Sequence, residues 1–169
     1  MKADSIKWRE FLSYDPDTGE FTWIKKVRKR TLVGERAGGR NTLGYILIQV
    51  GGVQMYAHRL AWWFVHGEWP SKNIDHIDGN KDNNRIGNLR LCGQKDNNGN
   101  RGAVARPRPT KFKGVCWHKR GKKWAARVAG KHLGMFDTDV SAAIAYDRAA
   151  LEYYGEFARL NFPQAKAVQ

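Results

Sequence analysis

Short apolar runs bounded by glycine and polar turns alternate with stretches of helical spacing along this chain. Glu20-Phe21-Thr22-Trp23-Ile24 follows the tight-turn sequence Asp15-Pro16-Asp17-Thr18-Gly19 and reads as a strand. Gly44 to Val50 and Val53 to Tyr56 flank Gly51-Gly52 and read as a hairpin. Past residue 110, Gly114–Trp117, Lys123–Val128 and Lys131–Phe136 are three more strand-like runs, separated by Lys119-Arg120-Gly121-Lys122 and Ala129-Gly130. Helical spacing opens the chain at Ile6–Leu12. It returns at Ala57, Leu60, Ala61, Phe64 and Val65, ended by Gly67 and Pro70. It recurs at Ala142, Ala145, Tyr146, Ala149, Ala150 and Tyr153, with Thr138 placed as an N-cap and Gly155 as the terminator. This pattern is α+β. The small, basic, proline-containing stretch 101–110 reads as a connector, with residues 106–110 taken as the linker, and there is no internal repeat.

An apolar content of 41% with 12% aromatics is enough to bury a core. No apolar run approaches the roughly 20 residues of a membrane span, and Met1–Ser5 lacks the apolar segment of a signal peptide. An intracellular protein without membrane contact is expected. The two cysteines, Cys92 and Cys116, have no Cys-x-x-Cys partner, so a thiolate zinc site is not expected and free thiols are. The net charge is +14. Residues 1–105 hold 17 basic and 11 acidic groups and residues 106–169 hold 13 and 5, so both halves are positive and a polyanion is expected to span both. Lys25 to Arg40 is a basic loop.

The chemistry concentrates between Asn73 and Asn97. Asp75-His76 ends a short apolar run, Asp78-Gly79-Asn80 turns the chain, and Asn88-Leu89-Arg90 is followed by Asp96-Asn97. Hydrolysis of a phosphodiester needs a base for water and a cation for the developing charge. His76 titrates near neutrality and suits the first role. Oxygen donors on Asp75 and Asn97 suit Mg²⁺. In a strand Asp75 and His76 would face opposite ways, so the strand must end or bend there. The loop is not an EF-hand: with Gly79 in the glycine position, Ile74 would take the first ligand position. His58 and His66, on or near the helical stretch, read as structural or solvent-facing.

Residues 73–100 resemble the HNH nucleases of phages and mobile introns, and Ala57-His58-Arg59-Leu60-Ala61 with Trp69-Pro70 extends the likeness over about residues 6–100. The resemblance implies a ββα-metal motif around one divalent ion, Mg²⁺ or Mn²⁺. Asp75 and Asn97 would hold the ion, with Asn98 as the alternative register. His76 would activate water, and Asn88 would brace the loop and His76. Residues 111–163 resemble the AP2 DNA-binding domain, through Phe112-Lys113-Gly114-Val115, Lys123-Trp124-Ala125-Ala126, Leu133–Thr138, Ala145-Tyr146-Asp147 and Leu160-Asn161-Phe162-Pro163. That family lays a three-stranded antiparallel sheet, backed by one helix, in the major groove. The DNA-facing positions it implies are Lys113, Trp117 or His118, Trp124, Arg127 and His132, with Lys119, Arg120, Lys122 and Lys123 on phosphates. Trp124 is equally a core candidate. Cys116 and His132 depart from the plant pattern, so plant base specificity does not carry over.

The expectation is therefore an α+β chain with an N-terminal HNH domain (1–105, ββα-metal core about 73–100), a linker (106–110), an AP2-like domain (111–163) and a tail (164–169). It would nick or cut double-stranded DNA at a preferred site, as homing-type HNH enzymes do, with no obligatory protein partner, in the cytoplasm of a phage-infected bacterium. The alternative is a DNA-binding regulator without nuclease activity.

Overall fold

A computed structural model describes residues 6–93, 96, 99–100 and 109–163. The last asparagines of the motif, Asn97 and Asn98, lie outside the described residues, as do most of the connector and the 164–169 tail. The chain divides into two compact units, Met1–Gly93 and Gln94–Gln169. Among the described residues the secondary structure is α+β, with small antiparallel sheets and two α-helices.

In the first unit β1 (Leu12–Asp15) and β2 (Glu20–Trp23) form a hairpin in which Tyr14 faces Phe21, their ring centroids 4.6 Å apart. The Asp15 carboxylate accepts from the amides of Asp17 and Thr18, and Gly19 closes the turn at φ 76°. The helix expected over Ile6–Leu12 is instead a single 3-10 turn, Trp8–Glu10, and Leu12 begins β1. A helical run this short cannot pay the nucleation cost alone, whereas Leu12 is fully buried once paired with Trp23. β4 (Ile46–Val50) and β5 (Val53–Tyr56) make the expected hairpin, with Gly51 and Gly52 at φ 55° and 83°. Positive φ at both central residues is what a two-residue turn with right-handed strand twist requires. A two-residue strand unannounced by any pattern, β3 (Gly39–Arg40), adds the edge to β4 from within the basic loop.

Helix α1 (Ala57–His66) buries Ala57, His58, Leu60 and Ala61 and stops at Gly67, whose left-handed φ of 76° lets its amide bond Trp63 O. One core joins Trp8, Leu12, Phe21, Ile46, Ile48, Leu60 and Leu89. Leu89 belongs to β7 (Leu89–Cys92), which pairs with β6 (Asn73–His76) in the register Asp75↔Arg90 and His76↔Leu89. The β6–β7 hairpin is thus anchored to a core built largely from the first 61 residues.

In the second unit β8 (Val115–His118), β9 (Lys123–Val128) and β10 (Lys131–Phe136) form an antiparallel sheet in the order β10-β9-β8. Helix α2 (Asp139–Tyr154) begins where the Thr138 hydroxyl accepts from Ser141 N, and packs Ala142, Ala143, Tyr146 and Ala150 inward. Small residues let the helix sit close: a Cβ on Gly114 would lie 2.0 Å from the Tyr146 ring. Asp147, 4% exposed, accepts from Asn161 N, Asn161 Nδ2 and Phe162 N, while Asn161 bonds both backbone groups of Lys113. This carboxylate holds the end of the described chain to the start of the sheet. Asp147→Ala takes the acceptor from three part-buried N–H donors, Asn161 N, Asn161 Nδ2 and Phe162 N, and is expected to cost about 3 kcal/mol, read as a lower urea midpoint with an unchanged slope.

Candidate active site

β6 ends at His76, and the chain reverses at once: Gly79 N bonds His76 O, with Gly79 at φ 74°. The turn lets consecutive residues both be buried, Asp75 at 6% and His76 at 4% exposure. Asp75 pairs across the hairpin with Arg90, whose Nε and Nη2 reach Asp75 Oδ2 at 3.1 and 3.0 Å.

His76 Nε2 lies 3.3 Å from Asn84 Oδ1. Asn84 is 2% exposed, its Nδ2 donates to Asp82 O, and its own carbonyl accepts from Tyr14 OH at 2.8 Å. With the amide nitrogen committed to Asp82, Oδ1 must accept, so His76 carries its proton on Nε2 and keeps Nδ1 as the basic nitrogen. Burial, the largest influence, moves the His76 pKa below its ordinary value. The Asn84 bond and the carboxylates of Asp78 and Asp75 oppose this, and Lys81 adds to it. The balance favours the neutral ring.

Asn88 accepts from Asp78 N at 3.1 Å and donates to Asp78 Oδ1 and to Asn83 O, and its backbone carbonyl receives Ile77 N. It cross-braces the two ends of the loop. Asp78 is also held by Asn80 N and Asn83 Nδ2, and these bonds together with that from Asn88 outweigh burial, the largest single influence, to lower its pKa. Asp75, His76 and Asn88 are thus gathered on one hairpin and loop.

Two further residues lie beside His76. Asn84 is one; a buried asparagine leaves no trace in a hydropathy pattern, and only its doubling in Asn83-Asn84 marks it. The other is His58, which fits the structural half of the reading structural or solvent-facing. It is 8% exposed, stacks on Tyr56 at 5.3 Å, and presents an edge to His76 with centroids 5.2 Å apart. Its Nδ1 is buried with no hydrogen-bond partner. Burial first, then His76 and Arg59, hold its pKa down to about 3. His66 by contrast is exposed beside Trp62.

The turn that closes β1–β2 supports the loop from the other side. Arg85 Nε donates to Asp17 O, Ile86 N to Pro16 O, and a Cβ on Gly19 would lie 2.3 Å from Arg85 N.

In the second unit, alternation from buried Val115 and Ala126 puts Trp117 and Trp124 on the helix side of the sheet, where they meet edge to face at 5.0 Å and Trp124 packs on the core. His118, Lys123, Arg127 and His132 are exposed; His118 pairs with Lys123 and Arg127 with His132 on the other face. His118 Nδ1 accepts from Gly121 N, which leaves its Nε2–H outward as a donor. Lys119, Arg120 and Lys122 are exposed at the β8–β9 turn. Lys113 is half-buried, its ammonium bonded to Gly99 O and 5.8 Å from the centre of the Tyr146 ring.

An HNH endonuclease family model matches residues 55–99. Protein 3.8 of Escherichia phage T7 is 33% identical over 108 residues, which cover 62% of this chain and 88% of that protein. The chain belongs to the HNH endonuclease family. The HNH match lies mid-chain and takes in His58, Asp75, His76, Asn84 and Asn88. Residues 6–54, outside it, supply much of the core beneath the HNH hairpin. This HNH chain also has AP2-like plant relatives. It is 50% identical over 62 residues to APETALA2-like protein 2 of Oryza sativa subsp. indica, covering 33% of this chain and 14% of that protein. It is 62% identical over 32 residues to Dehydration-responsive element-binding protein 2E of Arabidopsis thaliana, 19% of this chain and 13% of that protein. The HNH chain therefore spans only about a seventh of the length of these plant relatives. No helix among the described residues is long and apolar enough to cross a membrane.

Proposed function

We propose that the chain is a metal-dependent endonuclease that nicks or cuts double-stranded DNA at a preferred site, in the manner of homing-type HNH enzymes. The observation that carries this reading is His76: a buried, neutral imidazole, oriented through Nε2 by a pinned asparagine, directly following a buried carboxylate within the HNH-matched segment. His76 Nδ1 takes the proton of the attacking water, a P–O bond forms, and the opposite P–O3′ bond breaks as the 3′ oxygen gains a proton. The ends left are 5′-phosphate and 3′-hydroxyl.

Asp75 and Asn97, or Asn98 in the alternative register, would hold one Mg²⁺ or Mn²⁺. Among the described residues no cluster of three His, Cys, Asp or Glu side chains forms a metal cage. One buried carboxylate and one amide oxygen suit a hard ion that keeps several waters and takes phosphate oxygens as ligands. When bound, the ion supplies a Lewis acid for the developing charge. Arg90 screens the Asp75 charge in its absence, and Asn88 keeps the loop between the two in shape.

In this reading the chain has an HNH domain at 1–105, a linker at 106–110 and an AP2-like DNA-binding domain at 111–163. His118, Lys123, Arg127 and His132 read the major groove from the open face of the sheet, and Lys119, Arg120 and Lys122 grip phosphates. Trp117, Trp124 and Lys113, which the resemblance also points to, support that face from behind. The protein works on DNA in the cytoplasm of an infected bacterium, with no obligatory protein partner.

Supercoiled plasmid incubated with the protein and Mg²⁺ is expected to become nicked or linear, and EDTA is expected to stop this while duplex binding persists. Binding without cleavage under any divalent ion, on DNA carrying the preferred site, would favour a regulator that keeps the HNH scaffold.

A further inference from the structure

The first unit carries a cationic cleft that the nuclease chemistry does not use. Its volume is about 440 Å³, and Arg28, Arg40, Asn41, Gln49 and Gln54 contribute to its lining, with Trp23 on one wall. Adjacent in sequence to the lining residues Val27 and Arg28, the side chains of Lys25, Lys26, Lys29 and Arg30 are all exposed. Residues 25–40 hold seven basic side chains and one acid, Glu35.

We infer that this cleft and its rim bind the sugar–phosphate backbone of duplex DNA beside the cut, making the first unit a DNA-binding body in its own right. The inference rests on the nuclease reading for the identity of the polyanion, and on the following geometry for its place. Arg28 and Arg40 line a concavity, where a low-dielectric wall strengthens their field; a merely solvated charge run would sit on a convex surface. Arg28 is held toward the sheet by Gln49. A planar guanidinium so fixed loses little freedom on meeting a phosphate. Arg36 is paired with Glu20 at 3.6 Å and with Asp82 at 3.4 Å, and Arg40 reaches Asp82 at 3.7 Å, so Arg28 and the exposed basic run of residues 25–30 carry the uncompensated positive charge.

The cleft is also contiguous with the catalytic loop. Asp82 stands two residues before Asn84, whose Nδ2 bonds the Asp82 carbonyl. Lys81 Nζ reaches Leu43 O at 3.0 Å and sits 4.5 Å from the centre of the Tyr45 ring, which in turn lies 6.1 Å from His76. The β3–β4 turn, Asn41 to Tyr45, therefore borders both the cleft and the base. A backbone lying in the cleft is led to His76 without leaving the unit.

The test compares two double variants of the full chain in EDTA, binding a duplex that wild type cuts when Mg²⁺ is restored. Arg28→Gln/Arg40→Gln removes two charges from the cleft. Lys7→Gln/Lys72→Gln removes two exposed charges that do not line it. Each lost phosphate contact lowers the slope of log affinity against log salt by about 0.9. The cleft variant is expected to flatten the slope by about 2 and the control by less than about 0.5, with matching thermal melts for all three proteins. Equal slopes for the two variants would overturn the inference, even if wild type cuts DNA normally. If instead wild type binds but never cuts, the nuclease reading falls, and a cleft-dependent slope would still establish the surface.

Discussion

His76→Ala is expected to abolish DNA cleavage and to leave binding intact. General-base catalysis by a positioned histidine is worth about 10²–10⁴ in rate, and alanine offers water no lone pair. The assay is nicking of supercoiled plasmid under Mg²⁺ with enzyme in excess, so that the rate reads chemistry and not turnover. Duplex affinity in EDTA should match wild type, because the ring is 4% exposed and its bond to Asn84 is internal to the loop. Cleavage that survives in the variant at wild-type rate would assign the base elsewhere.

The second large effect concerns stability in acid. His58 is buried as a neutral ring, with its pKa held at about 3 against 6.5 for an unperturbed histidine. Between those two values the unfolded chain takes up a proton that the folded chain refuses, so stability falls as the pH falls. The contribution is complete above pH 6.5 and is lost progressively down to pH 3, at up to about 1.4 kcal/mol per pH unit. By pH 4.5 the loss from this residue alone amounts to roughly 2–3 kcal/mol. His58→Leu removes both the titration and the buried nitrogen that has no partner. Urea unfolding of wild type and variant at pH 7.0, 5.5 and 4.5 should give curves that diverge in acid, with the leucine protein losing less. Carboxylates titrate in both proteins and cancel in the difference. Parallel curves would show that His58 takes up protons in the folded state.

The elements that the sequence announced are those held by local chemistry. Two adjacent glycines fixed the β4–β5 turn, the Thr138 hydroxyl started α2, and alanine spacing marked the helix face against the sheet. The Asp75-His76 pair and Asn88 stood out because the roles proposed for this loop, a base and a hard-metal ligand, call for those side-chain types whatever surrounds them. What stayed hidden depends on contacts distant in sequence. β1 exists because Leu12 and Tyr14 find Trp23 and Phe21, and β3 because Gly39 and Arg40 reach β4. Trp117 and Trp124 suited either face of a sheet until their register opposite each other, two residues along from the buried Val115–Ala126 pair, decided it. His58 and Asn84 come from outside the Asp-His signature and meet His76 only through folding.

The hairpin turn at Pro16, Asp17 and Gly19 bears on how the HNH segment can be moved between proteins. The family match begins at residue 55, yet the loop holding Asn84 is gripped by Tyr14 and by backbone carbonyls some seventy positions earlier. The matched segment is therefore not a portable cassette. Grafted alone onto another scaffold it would carry its base and its carboxylate but not the surface that keeps them aimed, and a recombination joint placed between residues 24 and 55 would separate the catalytic loop from its own cradle.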